Sequence, residues 1–313
     1  MINNIIIEIE KLKKEKKAII LAHYYQESNI QNIADYVGDS LRLAQKAAES
    51  NAEVIIFAGV HFMAETAKII NTTAKVIIPD EEAGCSLAES CPPKEFKEFL
   101  EKNKNHTVIS YINCTAAIKT MTDIVCTSGN AVQIVNSLPK DEKIIFAPDK
   151  NLGAYINKVS GREMLLWDGS CEVHDQLKIE EAIKLKIKHP EAKFIAHPEC
   201  KAQILEIADF VGSTTAMLNF TQKDFTQKYI VATETGILHP MKKASPNKEF
   251  ILLPSEENCA CNDCHHMKKI TLEKIHKSLV TLTPEIILEE EIIEKAKKPI
   301  EKMLQMSKEL KLI

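Results

Sequence analysis

The chain has 313 residues, a formal net charge of −4, 45% hydrophobic and 27% charged residues, and a single Trp. That length accommodates two or three domains with ample core, and the near-neutral balance argues against a nucleic-acid or acidic-membrane partner. No apolar run approaches the ~20 residues that span a bilayer, no basic leader precedes one, and a cytoplasmic protein is expected. Nine cysteines, an odd number in a reducing compartment, point to metal ligands or reactive thiols before a disulfide framework.

Residues 2–16 have the spacing of an amphipathic helix, with Lys11, Lys13, Lys14, Lys16 and Lys17 on a solvated face. A short apolar strand follows at Ala18–Ala22, and LRLAQKAAES and FMAETAKII read as helices on either side of the strand VIIFA. The same series then returns twice. IILAHYYQ is matched by TVISYINC and KFIAHPEC, ADYVGDS by TDIVCTS and ADFVGST, and VIIPDEEAGC by MLLWDGSC and FILLPSEENCACNDC. Motifs of the second and fourth kinds recur 88 and then 86 residues apart. Strands alternating with helices predict βαβ units and parallel sheets, and a period of this size predicts one α/β layer used three times. The expected fold is α/β: three pseudo-threefold-related αβα domains with small parallel sheets around a central metal cluster. The repeats are placed at 1–92, 93–178 and 179–266. A helical tail, 267–313, punctuated by Pro284 and Pro299, is expected to pack on the first repeat.

Functional side chains are expected at the carboxyl ends of parallel strands, and this sorts the polar residues into equivalent sets. His23, Tyr24 and Tyr25 follow the first strand of repeat one, Tyr111 and Asn113 that of repeat two, and His197 and Glu199 that of repeat three. Ser40, Ser128 and Thr214 follow the second strands. A lone hydroxyl there usually caps a helix, but three equivalent copies argue for anion sites and a substrate with several carboxylate or phosphate groups. Cys85, Cys171 and Cys264 close the repeats. Three thiolates can hold a [4Fe–4S] cluster and leave one iron open as a Lewis acid. Zinc is the rival reading, because Cys259, Cys261 and Cys264 with His265 have local zinc-site spacing. Cys91, Cys114, Cys126 and Cys200 lack equivalents in all repeats and are read as packing thiols, and Glu65 as a surface or supporting residue. No G-x-G-x-x-G follows a strand and no G-x-x-x-x-G-K-[ST] occurs, so nucleotide chemistry is unsupported.

AHYYQ, GDSL, GVHFMAETAKII, ISYINCTAAIK, WDGSCEVH, AHPEC, GST and C-x-x-C-x-x-M-K, in this order from Ala22 to about Leu279, resemble quinolinate synthase, the NadA family. The resemblance implies condensation of iminoaspartate with dihydroxyacetone phosphate to give quinolinate, phosphate and water in de novo NAD biosynthesis. It also implies functional coupling to L-aspartate oxidase. It places the cluster ligands on Cys85, Cys171 and Cys264, iminoaspartate binding on His23, Ser40, Tyr111, Asn113, Ser128, His197, Glu199 and Thr214, and the active-site tyrosine on Tyr25. Tyr25, Glu199 and His197 are the catalytic candidates. The chain departs from the family at His265–His266, which replace a Pro-aromatic pair and make His265 a candidate competing ligand. Two other classes fit the residues alone: another [4Fe–4S] hydro-lyase of a small hydroxy acid, and an iron–sulfur sensor, for which no output module is visible.

Overall fold

The computed structural model describes residues 2–255 and 262–312. Twelve strands form three sheets among the described residues. The first holds β1 (Ala18–His23), β2 (Tyr36–Gly38), β3 (Val54–Ala58) and β4 (Lys75–Ile77). The second holds β5 (Thr107–Tyr111), β6 (Ile124–Cys126), β7 (Ile144–Ala147) and β8 (Leu165–Leu166). The third holds β9 (Lys193–Ala196), β10 (Phe210–Val211), β11 (Lys228–Ala232) and β12 (Glu249–Leu252). Every pairing is parallel. Each sheet has the order second–first–third–fourth strand, so the repetition in sequence is a repetition of topology.

One residue shows how the motif enforces that topology. Asp35, Asp123 and Asp209 occupy the same place in ADYVGDS, TDIVCTS and ADFVGST. Each carboxylate accepts the backbone N–H fifteen residues earlier, of Ile20 at 2.7 Å, Val108 at 2.8 Å and Phe194 at 2.7 Å. The backbone N–H of each Asp returns to the carbonyl of the same residue. The aspartate thus staples the start of the second strand to the first, and its charge-assisted bond is among the stronger kind.

The strands are apolar on both faces because helices cover both. Residues of β3 and β7 are buried throughout, each large aliphatic side chain contributing roughly 1.5–3 kcal/mol. The first two repeats share one continuous core with the tail, built on residues such as Ile20, Ile56, Phe146, Ile300 and Met303. The third has separate clusters, one around Phe194 and Ile230 and another around Ile195 and Tyr229 that Tyr24 of the first repeat joins.

The tail forms two long helices. Leu272–Thr281 lies on the N-terminal helix Ile2–Glu15 and on β3. Glu290–Glu309 lies against β6 and against the helices Ala116–Lys119 and His61–Ile70, so it touches the second repeat as well as the first. Asn130 donates to Ser307 Oγ at 2.9 Å in that contact. Pro299 does not end this helix as its residue type suggests. It is buried inside it, where packing offsets the lost hydrogen bond.

Candidate active site

The carboxyl ends of the three sheets meet at one cavity. Of the strand-end residues and repeat-closing cysteines singled out in the sequence, all but Tyr24 line it, from His23 and Tyr25 through Ser40, Cys85, Tyr111, Asn113, Ser128, Cys171, His197, Glu199 and Thr214 to Cys264, while Tyr24 packs into the apolar cluster of the third repeat. Two glycines let the repeats close around it. A Cβ on Gly169 would lie 2.5 Å from the Pro148 carbonyl oxygen and 2.3 Å from Ser90 Oγ, so the Asp168–Cys171 loop can reach the first repeat only with glycine there. Trp167 Nε1 ties the same loop to Ser90 O at 2.9 Å. A Cβ on Gly236 would lie 2.7 Å from Tyr24 O and Tyr25 Cα, so the third repeat seats the Tyr24–Tyr25 turn against bare backbone.

The three sulfurs come from three loops. Cys85 and Cys171 each precede a one-turn helix, Ser86–Glu89 and Glu172–Asp175, and Cys264 precedes the 3₁₀ turn Met267–Lys269. Burial pushes the Cys85 thiol up to about 12, the Cys264 thiol up to about 11 and the Cys171 thiol well above its usual value. The sulfurs also oppose one another's ionisation, Cys85 feeling Cys264 and Cys171 feeling both. Backbone N–H groups aim at each sulfur and favour the thiolate: those of Leu87 and Ala88 at Cys85, of His174 at Cys171, and of His266 and Met267 at Cys264. Three clustered thiols, each with donors already oriented for a negative sulfur, fit a thiolate-ligated metal centre. Cys171, His174 and Glu199 also offer three ligand atoms within 4.8 Å of one another. The His265 and His266 rings lie 3.9 Å apart between centroids, tilted by 36°, and neither lines the cavity. Cys259 and Cys261 lie outside the described residues.

The strand-end hydroxyls are not the caps of their helices. Asp39 caps Ser40–Glu49 and Ser213 caps Thr214–Lys223, which leaves Ser40 and Thr214 at the first helical position facing the cavity. Asn130, two residues beyond Ser128, stands at the N-cap position of Ala131–Ser137. Ser128 Oγ lies 3.2 Å from His197 Nε2, and Thr214 Oγ1 lies 3.2 Å from the Tyr25 hydroxyl. Asn113 Oδ1 is buried with no partner, a cost that a ligand can remove.

Glu199 is 3% exposed. Burial alone would raise its pKa, but His174, His197 and hydrogen bonds from His174 and Tyr111 outweigh burial and hold it well below the usual carboxylate range. An ionised carboxylate only accepts, so the Tyr111 hydroxyl donates to Oε1 at 2.5 Å and His174 Nδ1 donates to Oε2 at 2.9 Å. The other ring nitrogen, Nε2, lies 2.8 Å from Thr233 Oγ1, and Thr233 Oγ1 lies 2.9 Å from the Tyr25 hydroxyl. The result is a continuous line, Tyr25–Thr233–His174–Glu199–Tyr111, crossing all three repeats. Burial holds His23 and His197 down to about 3, with mutual repulsion adding at His23, so both are neutral imidazoles at pH 7. Burial, then the Glu199 charge, holds the Tyr25 and Tyr111 phenols well above their usual pKa, and both remain protonated.

His174 and Thr233 were not singled out in the sequence. The spacing Cys171-x-x-His174 was the available signal, since three residues along a helical turn return to the same face. Thr233 follows β11, the third strand of its repeat, where the other repeats carry Gly59 and Pro148 and no hydroxyl. Glu65 is buried, and its Oε2 accepts the Ala116 N–H at 2.9 Å, so it is a supporting residue and not a surface one.

The sequence model of the family described as NadA, quinolinate synthetase A protein, matches residues 7–305. The chain is similar to the quinolinate synthase of Synechocystis sp., 58% identical over 96% of this chain and 94% of the relative. It is likewise similar to that of Trichodesmium erythraeum, 56% identical over 96% and 93%, and that of Nostoc sp., 55% identical over 96% and 92%. No helix among the described residues is long and apolar enough to cross a membrane. Because the family model matches nearly its whole length and these relatives share more than half of their residues with it, the chain belongs to the NadA family of quinolinate synthases.

Proposed function

We propose that this enzyme condenses iminoaspartate with dihydroxyacetone phosphate to quinolinate, releasing phosphate and two waters, as a step of de novo NAD biosynthesis in the cytoplasm. L-Aspartate oxidase is the proposed source of the iminoaspartate. The observation that carries the reading is the convergence of three thiols, three strand-end hydroxyls and a hydrogen-bonded acid–base line on one cavity. Cys85, Cys171 and Cys264 would hold a [4Fe–4S] cluster, which would supply Lewis acidity for the loss of water at the iron that has no cysteine ligand.

The protein's own groups supply the rest. Ser40 and Thr214, at the first turn of ten-residue helices, present a hydroxyl beside helix N–H groups and suit the carboxylates and phosphate of the substrates. Ser128, ordered by His197, gives the equivalent donor in the second repeat. Glu199 is ionised and takes a carbon-bound proton, while Tyr25 donates one to a leaving hydroxyl. Thr233 and His174 join the two ends by hydrogen bonds and fix the Glu199 carboxylate and the Tyr25 hydroxyl relative to each other. The test is anaerobic, iron-loaded protein incubated with freshly generated iminoaspartate and dihydroxyacetone phosphate. Quinolinate and phosphate in equal amounts are expected, and no quinolinate from fully loaded protein overturns the reading.

A further inference from the structure

We infer that Lys119, buried behind the cavity wall, is a positioning residue that holds Asn113 in its substrate-binding pose. Lysine is seldom fully buried without a carboxylate partner, yet Lys119 is 0% exposed and no carboxylate lies in ion-pair range of it among the described residues. Its Nζ donates instead to the carbonyls of Ile112, at 3.0 Å, and of Cys114. These are the residues immediately before and after Asn113. The ammonium also sits 5.5 Å from the centre of the Phe62 ring, and Phe62 lines the cavity.

The backbone between those carbonyls is a tight turn. Cys114 N–H donates to Ile112 O at 2.8 Å, an i to i+2 closure with Asn113 at its apex. Ile112 O therefore accepts from both Cys114 and Lys119. Such a turn is weak alone, and this one carries the asparagine whose buried Oδ1 has no partner within the protein. The helix that bears Lys119, Ala116–Lys119, is itself fixed at its first N–H by Glu65. The arrangement spends a buried cation on two carbonyls that any solvent-exposed loop would satisfy with water. Its consequence is a rigid apex, so that Asn113 meets the substrate without losing loop freedom on binding.

The inference rests on Asn113 contacting the substrate, and the experiment separates the two ideas. Quinolinate binding is measured by calorimetry on anaerobic, iron-loaded parent, Asn113→Ala, Lys119→Met, the double variant and Lys119→Arg, with iron content and thermal unfolding recorded for each. Asn113→Ala is expected to weaken binding by about tenfold, and Lys119→Met by a similar factor with its iron retained. The double variant should bind no more weakly than the weaker single variant, because Lys119 acts through Asn113. Lys119→Arg, which keeps donors for both carbonyls, should recover most of the affinity. Parent-like binding by a folded Lys119→Met, or losses that multiply in the double variant, overturns the positioning role. Failure of both Lys119 variants to fold also overturns it, making the residue a folding element. Parent-like binding by Asn113→Ala defeats the assignment of Asn113 itself, a separate failure visible in that variant alone.

Discussion

Replacing Glu199 by Gln changes almost no volume, so its effect reports on charge and protons. In the parent the carboxylate accepts two hydrogen bonds, from Tyr111 at 2.5 Å and His174 at 2.9 Å. An amide offers one acceptor and one donor, so one of these contacts must reverse. Losing a hydrogen bond to a charged group costs about 1.5–3 kcal/mol, and reversal at His174 would move its hydrogen to Nε2 and turn the Thr233–Tyr25 end of the line around. The proton acceptor disappears as well. General acid–base groups contribute 10²–10⁴-fold, so turnover should fall by at least about 100-fold, equivalent to about 2.7 kcal/mol of barrier. Iron content should be unchanged, because Glu199 is not a proposed cluster ligand, and quinolinate should still bind. Steady-state quinolinate formation under anaerobic conditions, with iron and calorimetric controls, measures all three. Near-normal turnover in Glu199→Gln would remove it from proton transfer and shift that role to His197.

Other perturbations test the remaining parts of the site. Ala at Cys85, Cys171 or Cys264 should each abolish iron and sulfide incorporation, whereas Ala at Cys91, Cys126 or Cys200 should not; stoichiometric zinc with no iron in protein made anaerobically with iron would contradict the cluster assignment. Ala at Ser40, Ser128 or Thr214 should weaken substrate or product binding by about 1–3 kcal/mol with iron retained, and parent-like binding in all three would dismiss them as anion sites. The buried imidazoles also make stability pH-dependent. His23 and His197 are held down to about 3 against about 6.5 in an unfolded chain. Between those values the unfolded state binds more protons, so their contribution is complete above about pH 6.5 and is lost as pH falls towards 3. Each adds up to about 1.4 kcal/mol per pH unit in that window, and urea unfolding of His23→Asn should show a slope smaller by about one proton.

Much of the architecture was legible because it is local and repeated. Unbroken apolar runs such as VIIFA and IIFA need helices on both faces, and the equal spacing of three motif sets specifies three equal sheets. The aspartates Asp35, Asp123 and Asp209 are visible in the sequence at one motif position, although their task of stapling second strands to first ones is seen only in three dimensions. The same periodicity brought His23, Tyr111 and His197, and likewise Ser40, Ser128 and Thr214, into equivalent places before any coordinates.

What breaks the repetition needed the tertiary structure. His174 and Thr233 have no equivalents in the other repeats, and only the approach of the second and third repeats puts the imidazole 2.8 Å from the threonine oxygen. Lys119 reads as an ordinary charged helix end, because sequence does not reveal that its helix packs under the Asn113 turn with Glu290–Glu309 across it. The path of that last helix followed from apolar matching to the second repeat, not from the prolines along it. Periodicity determines which residues are equivalent, since backbone geometry acts within each repeat. The one-off contacts between repeats are set by packing across long separations, and those contacts decide which side chains are hydrogen-bonded to one another across the cavity.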